Sequence, residues 1–120
     1  MKPKGIFSRL FRWQKGRQNT GYAKMLIGCG LWPYPFDIYI LKFSEGQEIP
    51  PHVDKVERGE HYRLNIILKA PTTGGEFVCS SPLYESKRIK YFRSDMSEHS
   101  VGKVLKGSRY VLSIGWVKNP

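Results

Sequence analysis

Phe36-Asp37-Ile38-Tyr39-Ile40-Leu41-Lys42-Phe43, then Ser44-Glu45-Gly46-Gln47-Glu48-Ile49-Pro50-Pro51, then His52-Val53-Asp54, are the residues that decide the fold of this chain. The first group is rich in Ile, Tyr and Phe, which favour a pleated, half-buried surface, and reads as a strand. Gly46 and the Pro50-Pro51 pair end it with turn chemistry. His52-Val53-Asp54 then opens another extended segment. Residues two apart on a strand project from the same face, so the imidazole of His52 and the carboxylate of Asp54 can reach one cation. An isolated pair of this kind is commonly just a polar surface, and a metal site requires a third ligand.

The same alternation of short apolar runs and turns extends in both directions. Ala23 to Gly28, His61 to Leu68, Glu76 to Cys79, Arg88 to Phe92, His99 to Leu105 and Tyr110 to Val117 read as strands. Gly30 to Pro35, Glu45 to Pro51, Pro71 to Gly75 and Lys106-Gly107 punctuate them. Strands of this length and spacing predict an all-β core, either an antiparallel sandwich or a rolled barrel. One helix is expected, over residues 5 to 16, where Ile6, Phe7, Leu10 and Phe11 recur at helical spacing and Gly16 provides a stop.

Two further histidines are available as the third ligand. His99 begins an apolar run, His99-Ser100-Val101. His61 follows the charged stretch Lys55 to Glu60, where a satisfied or solvated imidazole is the expected role. His52, Asp54 and His99 therefore form the preferred set. Two imidazoles and one carboxylate make the facial triad suited to non-haem Fe(II), although zinc with an open position accepts the same donors. Arg109 begins the last apolar run, where a guanidinium is costly unless an anion meets it. Ser113 falls on the same strand face and adds a hydrogen-bonding group. An internal salt bridge, for example to Glu76, is the competing role for Arg109.

In order along the chain stand Phe43-x-x-Gly46, Pro51-His52-Val53-Asp54, Arg63-Leu64-Asn65, Gly74-Gly75-Glu76-Phe77, His99-x-Val101 and Lys106-Gly107-x-Arg109-Tyr110. This series resembles the Fe(II)/2-oxoglutarate-dependent oxygenases, especially their prolyl 4-hydroxylase-like branch, from about Phe36 to the C-terminus. The resemblance implies a double-stranded β-helix, or jelly roll, whose two sheets enclose the metal. It implies Fe(II) on His52, Asp54 and His99, with 2-oxoglutarate as cosubstrate and its distal carboxylate held by Arg109 and Ser113. Asn65 and Lys69 would add polar contacts to the cosubstrate, though Lys69 stands where prolyl hydroxylases carry a tyrosine. Phe43 also replaces a usual tyrosine and so removes one hydroxyl from the pocket. The implied reaction is hydroxylation with release of succinate and CO2, using dioxygen and ascorbate as a reductant.

At 120 residues the chain has room for one domain, divided here into a basic N-terminal segment, 1–20, and a β-helix domain, 21–120. The formal charge is +10, and residues 1–36 hold seven basic side chains and no acid. Such a segment suits nucleic acid, an anionic surface or an acidic partner, or is simply solvated. No apolar run approaches membrane-spanning length, and the start of the chain lacks a secretory signal. Cys29 and Cys79 have no metal-ligand spacing and read as reduced thiols of a cytoplasmic protein. A protein side chain and nucleic acid are both open as substrates, with Arg58 and Tyr62 beside the metal ligands as candidate substrate contacts. Two other classes compete with the oxygenase. One is a cupin-like metal or small-molecule binder. The other is a basic nucleic-acid module built on Lys87, Arg88, Lys90 and Arg93.

Overall fold

Twelve strands make up the regular structure of residues 10–15 and 22–119, which the computed structural model describes. They are β1 (Trp13–Lys15), β2 (Ala23–Gly30), β3 (Phe36–Phe43), β4 (Ile49–His52), β5 (Glu60–Lys69), β6 (Thr73–Gly74), β7 (Phe77–Cys79), β8 (Tyr84–Glu85), β9 (Ile89–Arg93), β10 (His99–Val101), β11 (Val104–Lys106) and β12 (Arg109–Lys118). The large sheet has the order β1-β2-β3-β12-β5-β9-β8, and the small one β4-β10-β7, while β6 and β11 form a ribbon. From β3 onward the chain crosses repeatedly between sheets, with β3, β5, β9 and β12 in the large one and β4, β7 and β10 in the small one. The last strand therefore closes against one of the first: β12 lies between β3 and β5, with Arg109 opposite Phe43 and Ser113 opposite both Tyr39 and Asn65.

Residues predicted as strands from their composition form strands, with two refinements. His99 to Leu105 is two elements, because the chain turns at Gly102-Lys103 and sends β10 and β11 to different partners. Part of the expected turn before His52 is strand β4, whose two prolines are tolerated because β4 is an edge strand.

The helix expected over residues 5–16 is not formed in the portion described. Leu10 bridges Leu26, Phe11 adopts a left-handed φ of 59°, and Trp13–Lys15 pairs with Ala23–Met25. A helix this short is marginal in water, whereas the open edge of β2 satisfies the backbone directly. Ile6 and Phe7 lie outside the described residues.

Tyr22, Phe43, Val101 and Val104 form the core between the sheets, with Leu41, Ile49 and Phe77 against them. Tyr22 stacks on Phe43 at 4.8 Å. The largest fully buried side chain is nevertheless Arg109, only 2% exposed. The interior therefore encloses a charge as well as a hydrocarbon core.

Candidate metal centre

β4 and β10 pair antiparallel with His52 opposite His99. Opposed residues in such a pair point to one face, so both imidazoles project together, with centroids 4.4 Å apart. The Asp54 amide donates to the Ser94 carbonyl at 2.7 Å, which fixes the residue just past β4. The Asp54 carboxylate then spans the two rings, with Oδ1 3.4 Å from His52 Nε2 and Oδ2 3.4 Å from His99 Nε2. Ligand atoms of the three residues lie within 4.8 Å of one another.

Both imidazoles are oriented by the same local device. His52 Nδ1 donates to the Pro50 carbonyl and His99 Nδ1 to the Ser97 carbonyl, each at 2.8 Å. A carbonyl only accepts, so a proton sits on Nδ1 and Nε2 is the ring nitrogen turned toward Asp54. Bonds of about 2.0–2.2 Å to a divalent metal set adjacent donors roughly 2.8–3.6 Å apart, and the 3.4 Å separations match. The donor set fits a cation. Phe77 and Phe92 pack on His99 at 6.3 and 4.7 Å and hold its ring from behind.

The opposite wall belongs to the large sheet. Arg109 lies over the Phe43 ring at 5.1 Å, and its Nη2 is buried without a hydrogen-bond partner among the described residues. The Gly74-Gly75 turn presses against its stem. Gly75 has a φ of 69°, and a Cβ there would meet Pro71 and Val104 and lie 3.6 Å from Arg109 Cδ. Burial lowers the Arg109 pKa to about 10, which leaves it charged at neutral pH. No ion pair links it to Glu76 among the described residues.

Ser113 and Asn65 are buried beside it, but not as two independent donors. The Ser113 hydroxyl donates to Asn65 Oδ1 at 2.6 Å and accepts from Arg63 Nη1 at 2.9 Å. Arg63 Nη2 donates to Asp37 at 3.0 Å and lies 3.4 Å from His61 Nε2. His52, Asp54, His99, Arg109, Ser113, Asn65, Arg63, Asp37 and His61 all line one cavity of about 150 Å³.

Other expected site residues fall elsewhere. Lys69 is exposed and does not line the cavity. The register shifts between Tyr110 and Val111, so Ile67 sits opposite Val111 but Lys69 opposite Tyr110. That bulge moves Lys69 to the outer face. Tyr62 also faces outward, stacked with Tyr91 and Trp116, and Arg58 is exposed away from the cavity. His61 is not in the ligand set, yet it is no solvated loop residue. It lies on β5 and lines the cavity, and its pKa is depressed by burial and then by Arg63. Tyr22, Lys24 and Tyr39 line the cavity without having been foreseen, and Tyr22 does so with its ring stacked on Phe43.

Two of the four cations of the basic cluster, Lys90 and Arg93, are ion-paired. Lys90 pairs with Glu85, and Arg93 with Asp95 and Glu60. Arg88 donates to the Ile67 carbonyl. Cys29 and Cys79 are free thiols, the first exposed and the second raised in pKa by burial.

Solved structures share this fold. KdgF from Halomonas sp. is similar with a TM-score of 0.59 and 14% identity, over 90% of this chain and 87% of that one. A chain from the complex of Rhodobacter sphaeroides SigE with the anti-sigma ChrR gives 0.54 and 16%, over 86% and 48%. Oxalate oxidase gives 0.54 and 14%, over 93% and 59%.

The fold is a jelly roll.

At these identities the likeness concerns architecture alone, and the chain spans about half of the SigE–ChrR chain and under two thirds of oxalate oxidase. No protein-family profile matches the chain, and no curated protein does. Among the described residues, no helix of this jelly roll is long and apolar enough to cross a membrane.

Proposed function

We propose that this jelly roll is an Fe(II)/2-oxoglutarate-dependent dioxygenase, with His52, Asp54 and His99 holding the metal and Arg109 anchoring the cosubstrate. One observation carries the reading: a buried guanidinium with an unpartnered Nη2 lines the same small cavity as the triad. A buried cation without a partner is costly, and a ligand carboxylate offers the planar, bidentate partner that a guanidinium fits. A cavity of about 150 Å³ is on the scale of a small dicarboxylate.

When bound, the metal and keto acid would supply an oxidation in which one atom of dioxygen enters succinate, CO2 leaves, and the other atom becomes a hydroxyl on the substrate. The chain's own residues do the rest. The Pro50 and Ser97 carbonyls fix the imidazoles, Arg109 orients the anion, and Phe43, Phe77, Phe92 and Val101 line the cavity with apolar surface. The substrate would be presented from outside, because so small a cavity leaves no room for a second large molecule. A protein side chain such as proline is favoured slightly over nucleic acid, since Lys90 and Arg93 of β9 are already ion-paired. Reduced thiols and ascorbate as a reductant suit a cytoplasmic setting.

Titration of Fe(II)-loaded protein with 2-oxoglutarate, without oxygen, tests the reading. Arg109→Ala should keep iron yet lose about 2–5 kcal/mol of cosubstrate affinity, roughly thirty-fold to several-thousand-fold. Arg109→Lys should recover part of it, supplying charge without the planar fork. Wild-type affinity in Arg109→Ala would defeat the proposal. A cupin-like metal or small-molecule binder would then lead, a reading favoured by the structural likeness to KdgF and oxalate oxidase.

A further inference from the structure

Resting on the proposed cosubstrate site, we infer that Arg63 is a positioning residue. Acting through the Ser113 hydroxyl, it turns the Asn65 amide so that Asn65, and not Ser113, gives the second hydrogen bond to the anion held by Arg109.

Proton counting leads there. A serine hydroxyl has one proton, and that of Ser113 goes to Asn65 Oδ1 at 2.6 Å. Its oxygen accepts from Arg63 Nη1 at 2.9 Å, so the proton cannot turn back toward Arg63. Ser113 thus has no donor left for a ligand. Asn65 has its oxygen engaged and its NH2 remaining, on a side chain that is buried and lines the cavity. The chain of contacts gives Asn65 a fixed sense: oxygen toward Ser113, nitrogen available.

The fold is arranged to keep Arg63 in place. Arg63 and Gly115 are opposite each other on β5 and β12, and a Cβ on Gly115 would overlap the Arg63 guanidinium. The missing side chain lets the guanidinium lie flat across β12 toward Ser113. Asp37, opposite Gly115 on the other flank, accepts from Nη2 at 3.0 Å. His61 Nε2 stands 3.4 Å from the same nitrogen. A guanidinium is suited to this work because its fork reaches Ser113 and Asp37 at once, which an ammonium on a flexible stem does less well.

Two measurements on the full chain test the inference. First, Fe(II)-loaded protein is titrated with 2-oxoglutarate by anaerobic calorimetry. Ser113→Ala, Arg63→Gln and Asn65→Asp should each retain iron affinity and weaken 2-oxoglutarate on the order of tenfold or more, with Arg63→Lys in between. Second, the Asn65 side-chain NH2 signals are followed in the 15N spectrum of metal-free protein. They should move in Ser113→Ala and Arg63→Gln and return part-way in Arg63→Lys, while melting confirms that each variant is folded. Unchanged cosubstrate affinity in folded Ser113→Ala and Arg63→Gln overturns the inference, as do unmoved Asn65 signals. If wild type itself binds no 2-oxoglutarate, the cosubstrate reading fails and the ligand role of Asn65 fails with it. The amide signals then still decide whether Arg63 positions Asn65.

Discussion

The two walls of the cavity are built by opposite strategies. On the small sheet, each imidazole is oriented locally, by the carbonyl two residues earlier, and Asp54 is two residues from His52. On the large sheet, orientation comes from afar: Arg63 reaches Ser113, 50 residues away, and Asp37, 26 residues away, while Ser113 reaches Asn65, 48 residues away. The ring orientations are set locally, while β4–β10 pairing and the bond from the Asp54 amide to the Ser94 carbonyl bring the three ligands together. The anion wall, assembled across three strands, depends on their register. Replacing one ligand of the metal wall should therefore leave the other two oriented, whereas a change in the anion wall should disturb Arg63, Ser113 and Asn65 together.

The largest expected effect breaks the first wall. His52→Ala, Asp54→Ala and His99→Ala should each abolish stoichiometric Fe(II) binding, read as metal content after gel filtration, with the fold retained. His61→Ala should keep its iron, and loss there would place His61 in the ligand set instead. Gly115→Ala strikes the second wall without touching a polar group. Its Cβ displaces the Arg63 guanidinium, so 2-oxoglutarate affinity should fall with iron affinity unchanged. Overpacking should also cost about 1–3 kcal/mol in denaturant unfolding. Normal cosubstrate affinity in this variant would show that the anion wall is less cooperative than described.

Trp116→Ala offers the control from the outer face, where Trp116 stacks with Tyr62 and Tyr91. It should cost about 1–3 kcal/mol of stability and leave both ligand affinities alone. The smallest effect concerns Asp95, whose carboxyl is held below its usual value of 3.8 by the two hydrogen bonds from Arg93, against the opposing effect of burial. A depressed folded pKa contributes stability above the unfolded value and loses it as pH falls through the folded one. Asp95→Asn should therefore melt lower than wild type above about pH 5, and the gap should close in acid. A gap that widened on acidification would reverse the assignment.

What was legible in the sequence follows the same division. Ile-, Val- and Tyr-rich runs between Gly and Pro located most strands, because burial on a pleated surface is a local property. His52 and Asp54 were visible as a pair for the same reason. Strand partners were not, because pairing β12 between β3 and β5 joins residues far apart in sequence. The jelly roll was reached through the ordered motifs and not from periodicity. Lys69 was misplaced because a single-residue bulge just before it, at Leu68 of its own strand, reverses the alternation, and nothing in Ile66-Ile67-Leu68-Lys69 announces a bulge. Arg63 and Asp37 were missed although signals existed. Arg63 is two residues before Asn65 and so shares its face, and Asp37 is the one acid within an otherwise apolar or basic strand.

On the proposed reading, the unpartnered Nη2 of Arg109 also makes stability a function of what the protein binds. A charge kept in the interior lowers the melting point of the ligand-free chain, and any anion that meets it selectively raises it. At one hundred times its dissociation constant such a ligand stabilises by about 2.7 kcal/mol. Heat resistance would then rise and fall with the supply of the small acid, so that a starved cell holds a softer protein than a fed one. Arg109→Met, of similar length but uncharged, should melt above the wild type without ligand and ignore the acid altogether, separating durability from responsiveness at one position.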